Sequence, residues 1–191
     1  MCEVKGEKEM FEVNPHTGRL WPAKWIASPH FDARPQGGEI ELIVVHGISL
    51  PPNEFGGEGI IELFTNRLRP SVDVYYRQLI GLRVSAHLLI RRDGEVIQFV
   101  DFNQRAWHAG VSSFAGRTGC NDFSIGIELE GADTICYTAI QYQALAQVIR
   151  SICQAYPRVQ QWVGHSEIAP GRKTDPGPLF NWAALERLLA D

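Results

Sequence analysis

EIELIVVH, residues 39–46, decides the fold class. Ile40, Leu42, Ile43, Val44 and Val45 make an almost unbroken, largely β-branched apolar run. A strand with one wet face alternates polar and apolar residues. This one does not, and therefore reads as a central strand buried on both faces, which needs cover on each side. It ends on His46, and Gly47 follows.

The flanking segments supply the rest of the layers. FSIGIELEG (123–131) reads as a second strand, with Ser124, Gly126, Glu128 and Glu130 on one face and Ile125, Ile127 and Leu129 on the other. VSAHLLIRR (84–92) and EVIQFV (95–100) read as a hairpin through Asp93-Gly94. QQWVG (160–164) is a short strand leading to His165. Helices are expected over 58–68, over Ala139–Tyr156 and over 181–191. Thr138 and Gln141 form a capping-box pattern for the middle one. Tyr142, Leu145, Ile149, Ile152 and Tyr156 make its buried stripe, and Pro157 stops it. Trp182, Leu185, Leu188 and Leu189 point the last helix inward. The expected architecture is a mixed α/β fold, a central mixed β-sheet flanked by α-helices, as one domain over 1–191. Residues 1–38 are expected to be an irregular arm anchored by Trp21, Trp25 and Phe31.

Composition narrows the function classes. The hydrophobic fraction of 45% and charged fraction of 21% are those of a globular domain. A net charge of -4 argues against a nucleic-acid partner. No apolar run approaches the roughly 20 residues that span a bilayer, so no membrane partner is expected. The first residues, MCEVKGEKEMFEVNPH, have no apolar centre of the signal-peptide kind, so a cytoplasmic location is expected. Cys2, Cys120, Cys136 and Cys153 are widely separated and read as free thiols.

The chemistry concentrates in GHSEIAPGRKTDPGP, residues 164–178, where Pro and Gly predict neither helix nor strand. His165 and Asp175 lie in this segment and His46 at the end of a strand. Two imidazoles and a carboxylate suit zinc with a fourth position open, the arrangement of catalytic sites. Against this stands the ordinary fate of a histidine at a strand end, a surface or hydrogen-bonded residue. Glu128 and Glu130 share a face of an otherwise apolar strand. Either that face meets solvent or arginines, or one glutamate sits beside a metal as general base; strand alternation does not choose between the two. Lys173, two residues before Asp175, falls on the same side of an extended loop, where an ammonium can stabilise an oxyanion.

The stretches VVHGISLPPNEFGG, RVSAHLLIRRDGEVIQFV, RAWHAGVSSFAGR, CNDFSIGIELEG and GHSEIAPGRKTDPGP together resemble the N-acetylmuramoyl-L-alanine amidase family, which shares its fold with peptidoglycan recognition proteins and phage T7 lysozyme. The resemblance runs from about Trp25 to about Trp182, with the motifs in the family's order. It implies zinc bound by His46, His165 and Asp175, with Glu128 as the catalytic glutamate and Lys173 as the lysine that stabilises the transition state. It further implies Arg83 in substrate binding. Trp107 and His108 are expected to line the groove. The implied substrate is a small molecule, an anhydro-muropeptide cut between 1,6-anhydro-N-acetylmuramic acid and L-alanine in cell-wall recycling, a role tied to β-lactamase induction. A monomer is expected. The alternatives are a module that binds muropeptide without cleaving it and a periplasmic-type amidase acting on intact peptidoglycan. The chain departs from the family pattern at Gly47, where Asn is usual, at Ser166 and Glu167 beside the second histidine, and at Gly119, where Arg is usual.

Overall fold

The computed structural model describes residues 10–190. In chain order the strands and helices are β1 (Glu12–Asn14), β2 (Arg19–Trp21), β3 (Lys24–Trp25), β4 (Phe31–Ala33), β5 (Leu42–Ile48), α1 (Gly59–Phe64), β6 (Leu88–Ile90), β7 (Val96–Gln98), β8 (Gln104–Ala106), β9 (Ser113–Phe114), β10 (Arg117–Thr118), β11 (Ser124–Glu130), α2 (Ala139–Ala155), β12 (Gln161–Gly164), α3 (His165–Ile168) and α4 (Trp182–Ala190). The main sheet has six strands in the order β12-β5-β11-β6-β7-β3. β12, β5, β11 and β6 pair in parallel, and β7 turns back antiparallel to β6. The sheet is thus mixed, and β5 lies between two parallel neighbours, as its unbroken apolar run demands.

One face of the sheet packs on helices. Ile43 and Val45 of β5 and Ile125, Ile127 and Leu129 of β11 join Leu145, Val148, Ile149 and Ile152 of α2 in one core, with Leu185 of α4. The α2 capping box forms as the sequence predicts, each of Thr138 and Gln141 closing on the other. On the opposite face, Leu42 and Val44 meet Ala109, Cys120, Phe123 and Ile168, while α1 covers the hairpin side through Ile60, Ile61 and Phe64. Successive strand residues point to opposite faces, so His46 and the polar residues of β11 face away from α2.

Several elements are shorter than periodicity predicts. The segment 84–92 narrows to Leu88–Ile90 and the helix over 58–68 to Gly59–Phe64. Before β6, Ser85 bonds to the loop backbone of Trp107 and His30, while His87 still exchanges bonds with Gly126 of β11 just ahead of the regular ladder. The largest difference is the arm. Within its described part, residues 12–33 carry β1–β4, with β3 joining the main sheet beside β7 and β4 pairing with β8. Its anchors are also different: Val13, Leu20 and His30 are buried, whereas Trp21 is 71% exposed and Phe31 44%. Trp25 is partly exposed, with the Arg19 guanidinium stacked over its ring. Residues 1–9, including Cys2, lie outside the described part.

Arg34 fastens the arm. Its guanidinium donates to the carbonyls of Phe102, Asn121, Asp122 and Ser124 at 2.9–3.1 Å. Burial lowers its pKa to about 10, still protonated at neutral pH. Arg34→Ala strands those four carbonyls. A loss on the order of 3 kcal/mol or more is expected in chemical denaturation, from several charge-assisted bonds removed at once. Arg34→Lys should recover little, because an ammonium cannot reproduce the planar fork; a lysine variant as stable as the parent would contradict this account.

Candidate metal centre and active site

Three strands of the parallel half bring the site together. β5 carries buried His46 on the face turned away from α2, and β12 delivers buried His165 at the start of α3. The segment 164–178, expected to lack regular structure, therefore contains one helical turn. The first breaker is Pro170, which leaves His165–Ile168 room to coil, and the Glu167 carboxylate accepts from the Gly164 N–H at 2.8 Å. The departure at Glu167 is thus a capping residue. Beyond it the chain folds back, with Lys173 N–H donating to Ala169 O and Ser166 N–H to Asp175 O. That last bond sets Asp175 against the histidines.

His46 Nδ1, His165 Nδ1 and Asp175 Oδ2 form a triangle with sides of 3.0, 3.2 and 3.1 Å. A tetrahedral zinc with bonds of about 2.0–2.1 Å needs donor atoms about 3.3–3.4 Å apart. The donor set therefore fits a metal by both chemistry and spacing, and these residues form a possible metal-ligand group. Burial lowers the His46 pKa to about 4 despite the opposing pull of Asp175, so its ring is neutral and has a lone pair to offer. Burial pushes the Asp175 carboxyl upward, but hydrogen bonds from His165 and His46 outweigh it and hold the group below the usual carboxylate range.

The two glutamates of β11 separate cleanly. Glu130 is buried but satisfied: it accepts from Gly56 N–H at 2.6 Å and Arg92 N–H at 3.1 Å, with the Arg91 guanidinium 4.0 Å away. Glu128 lies in register with His46 on the neighbouring strand. Its Oε2 is buried and has no hydrogen-bond partner among the described residues. Burial, then the Asp175 charge, pushes its pKa well up, and Lys173 opposes them. Lys173 is exposed and bears electrostatically on both Glu128 and His46.

The other sequence candidates occupy different places. His108 is turned inward, its Nδ1 2.9 Å from His46 Nε2 and its Nε2 3.2 Å from Ser124 Oγ. Trp107 stacks on His30 and donates its indole N–H to Asp32 at 3.1 Å. Arg83 is exposed on the loop before β6. Tyr137 went unnoticed in the sequence. Its hydroxyl donates to Pro176 O at 2.8 Å, one residue past Asp175, and a Cβ on Gly47 would overlap that hydroxyl. The glycine departure leaves the space that Tyr137 fills.

Known proteins resemble this chain in sequence and in fold. A family described as N-acetylmuramoyl-L-alanine amidase matches residues 36–178. The chain is 54% identical over 177 residues to the 1,6-anhydro-N-acetylmuramyl-L-alanine amidase AmpD of Salmonella typhimurium strain SL1344, covering 92% of this chain and 95% of that protein. A crystal structure of a selenomethionine AmpD derivative superposes with a TM-score of 0.89 at 53% identity, covering 93% of this chain and 98% of the other. The amidase AmiD from E. coli, solved with anhydro-N-acetylmuramic acid-L-Ala-D-gamma-Glu-L-Lys, matches with a TM-score of 0.57 at 27% identity, over 93% of this chain and 65% of that one.

The Gly47–Tyr137 packing is testable by a double-mutant cycle. Gly47→Ala should destabilise by about 1–3 kcal/mol through overpacking. In a Tyr137→Phe background, which lacks the hydroxyl, the same change should cost clearly less. Additive effects in urea denaturation would show that the two residues do not compete for one space.

Proposed function

Because the chain belongs to the N-acetylmuramoyl-L-alanine amidase family, we propose that it is a zinc-dependent member that cuts anhydro-muropeptides between 1,6-anhydro-N-acetylmuramic acid and L-alanine during cell-wall recycling. The observation that carries this reading is the His46–His165–Asp175 triangle beside a buried carboxylate oxygen with no hydrogen-bond partner among the described residues. The substrate class rests on the AmpD relatives and on the ligand of the AmiD structure.

When bound by His46, His165 and Asp175, zinc supplies a Lewis acid that polarises the scissile carbonyl and lowers the pKa of water from about 15.7 to about 7. The chain's own residues do the rest. Glu128, whose proton affinity is raised by burial, accepts the proton of the attacking water and returns it to the departing L-alanine nitrogen. Lys173, whose charge opposes the rise in the Glu128 pKa, donates to the developing oxyanion. Arg83, Trp107 and His108 are the further candidates for substrate contact; of these, Arg83 is the freest to reach a ligand. The enzyme acts as a single-domain monomer in the cytoplasm. Free Cys120, Cys136 and Cys153 suit such a reducing compartment, and among the described residues no helix is long and apolar enough to cross a membrane.

Zinc content and release of peptide from soluble anhydro-muropeptide test the proposal. Glu128→Gln should keep the metal and lose about 10²–10⁴-fold in kcat. Lys173→Ala should lose about 10²–10³-fold, and His46→Ala should lose the metal itself. Chelation should abolish turnover and added zinc restore it. A metal-free protein, or undiminished turnover in Glu128→Gln, would sink the mechanism, and faster release from intact peptidoglycan would replace the substrate.

A further inference from the structure

The two imidazoles of the metal group are held from behind by a single dipeptide. His46 Nε2 meets His108 Nδ1 at 2.9 Å, and His165 Nε2 meets the carbonyl oxygen of Ala109 at 3.1 Å. With both Nδ1 atoms turned to the metal position, both Nε2–H groups are donors, and His108 and Ala109 supply the acceptors. His108 must then carry its own proton on Nε2, which points to Ser124 Oγ at 3.2 Å; the Ser124 hydroxyl donates onward to Cys120 O at 2.6 Å. Every proton in the chain has a place.

The dipeptide is in turn fixed by one atom. Asn121 Oδ1 accepts from His108 N–H at 3.1 Å and from Ala109 N–H at 2.8 Å. Asn121 is itself pinned, because Arg34 donates to its backbone carbonyl at 3.1 Å. Arg172 adds a bond to Ala109 O at 2.6 Å from the far side. Gly126 of β11 lies directly beneath the His108 ring, where a Cβ would overlap the imidazole, so the strand itself makes room for this packing.

We propose that Asn121 is a positioning residue for the metal centre: its side-chain oxygen sets the His108–Ala109 dipeptide, which fixes the tautomer and aim of both histidine ligands. It touches neither metal nor substrate. The inference rests on the zinc reading given above. Loss of a partner that orients a ligand costs about 10–100-fold in metal affinity. An oxygen bridging two neighbouring N–H groups would also serve to staple a loop and nothing more, so stability alone does not discriminate.

The test is zinc affinity, measured by competition with a chromogenic chelator, together with the visible absorption of the cobalt(II)-substituted protein. Asn121→Ala should bind zinc about 10–100-fold more weakly and shift the cobalt bands. Asn121→Asp, which keeps an oxygen for both N–H groups, should stay within about threefold of wild type and restore the spectrum. His108→Ala removes only the His46 limb and should weaken zinc binding about tenfold; it carries the test if Asn121→Ala does not fold. Wild-type zinc affinity and an unchanged cobalt spectrum in Asn121→Ala, or in His108→Ala if it stands in, would overturn the inference while leaving the zinc reading intact. Failure of the wild-type chain to bind zinc would instead overturn the zinc reading on which the inference rests.

Discussion

Three lone-pair atoms converge within about 3 Å of one another at a buried point, and the rest of the structure has to hold them there. Lone pairs of two ring nitrogens and a carboxylate aimed at one point repel one another, and a cation there would offset that repulsion. The convergence must therefore be imposed by the scaffold. Parallel pairing of β12, β5 and β11 imposes it. The register sets Val45 against Gly164 and Glu128 against His46, so the chain leaves β12 for His165 at the level of β5's His46. Burying a neutral imidazole is tolerable, and here it has a use: the same desolvation that lowers the His46 pKa leaves the ring unprotonated and able to ligate.

The cost of the arrangement falls on the face of β11 that points away from α2. All of its residues are buried, yet Ser124, Glu128 and Glu130 are polar. The fold satisfies the outer two locally, Ser124 through Cys120 and Glu130 through Gly56 and Arg92. It leaves Glu128 Oε2 without a hydrogen-bond partner among the described residues. In a purely structural strand a stranded buried carboxylate would be a defect of several kcal/mol in principle. Its isolation, between satisfied neighbours on the same strand, sets Glu128 apart from groups used for packing, as the proposed general base requires.

Much of this was legible in the sequence, for reasons that can be named. The unbroken apolar run of 42–45 required a central strand, Thr138 and Gln141 marked the start of α2, and two histidines with an aspartate near strand ends proposed a metal set. Those signals are local or periodic. The irregular character expected of the arm fails over 12–33 because its strands are only two or three residues long, below any periodicity, and its exposed Trp21 looks like an anchor by composition alone. The choice between Glu128 and Glu130 also lay beyond strand alternation. It depends on Gly56, Arg91 and Arg92, brought to one glutamate by loops that no spacing rule places.

The glycines beside the site were the least legible feature, and they carry the most specific meaning. Gly47 and Gly126 lie within strands, where glycine ordinarily weakens pairing and marks close approach of another group. At both positions the absent Cβ is replaced by a ring arriving from elsewhere in the chain, Tyr137 over Gly47 and His108 over Gly126. Each ring then reaches a ligand or its neighbour: the Tyr137 hydroxyl holds the Pro176 carbonyl after Asp175, and His108 backs His46. In both places the strand gives up a side chain of its own so that a more distant one can pack beside the candidate metal group. Gly47, a departure from the family's usual Asn, leaves room in the folded chain for the Tyr137 hydroxyl that holds the Pro176 carbonyl next to Asp175.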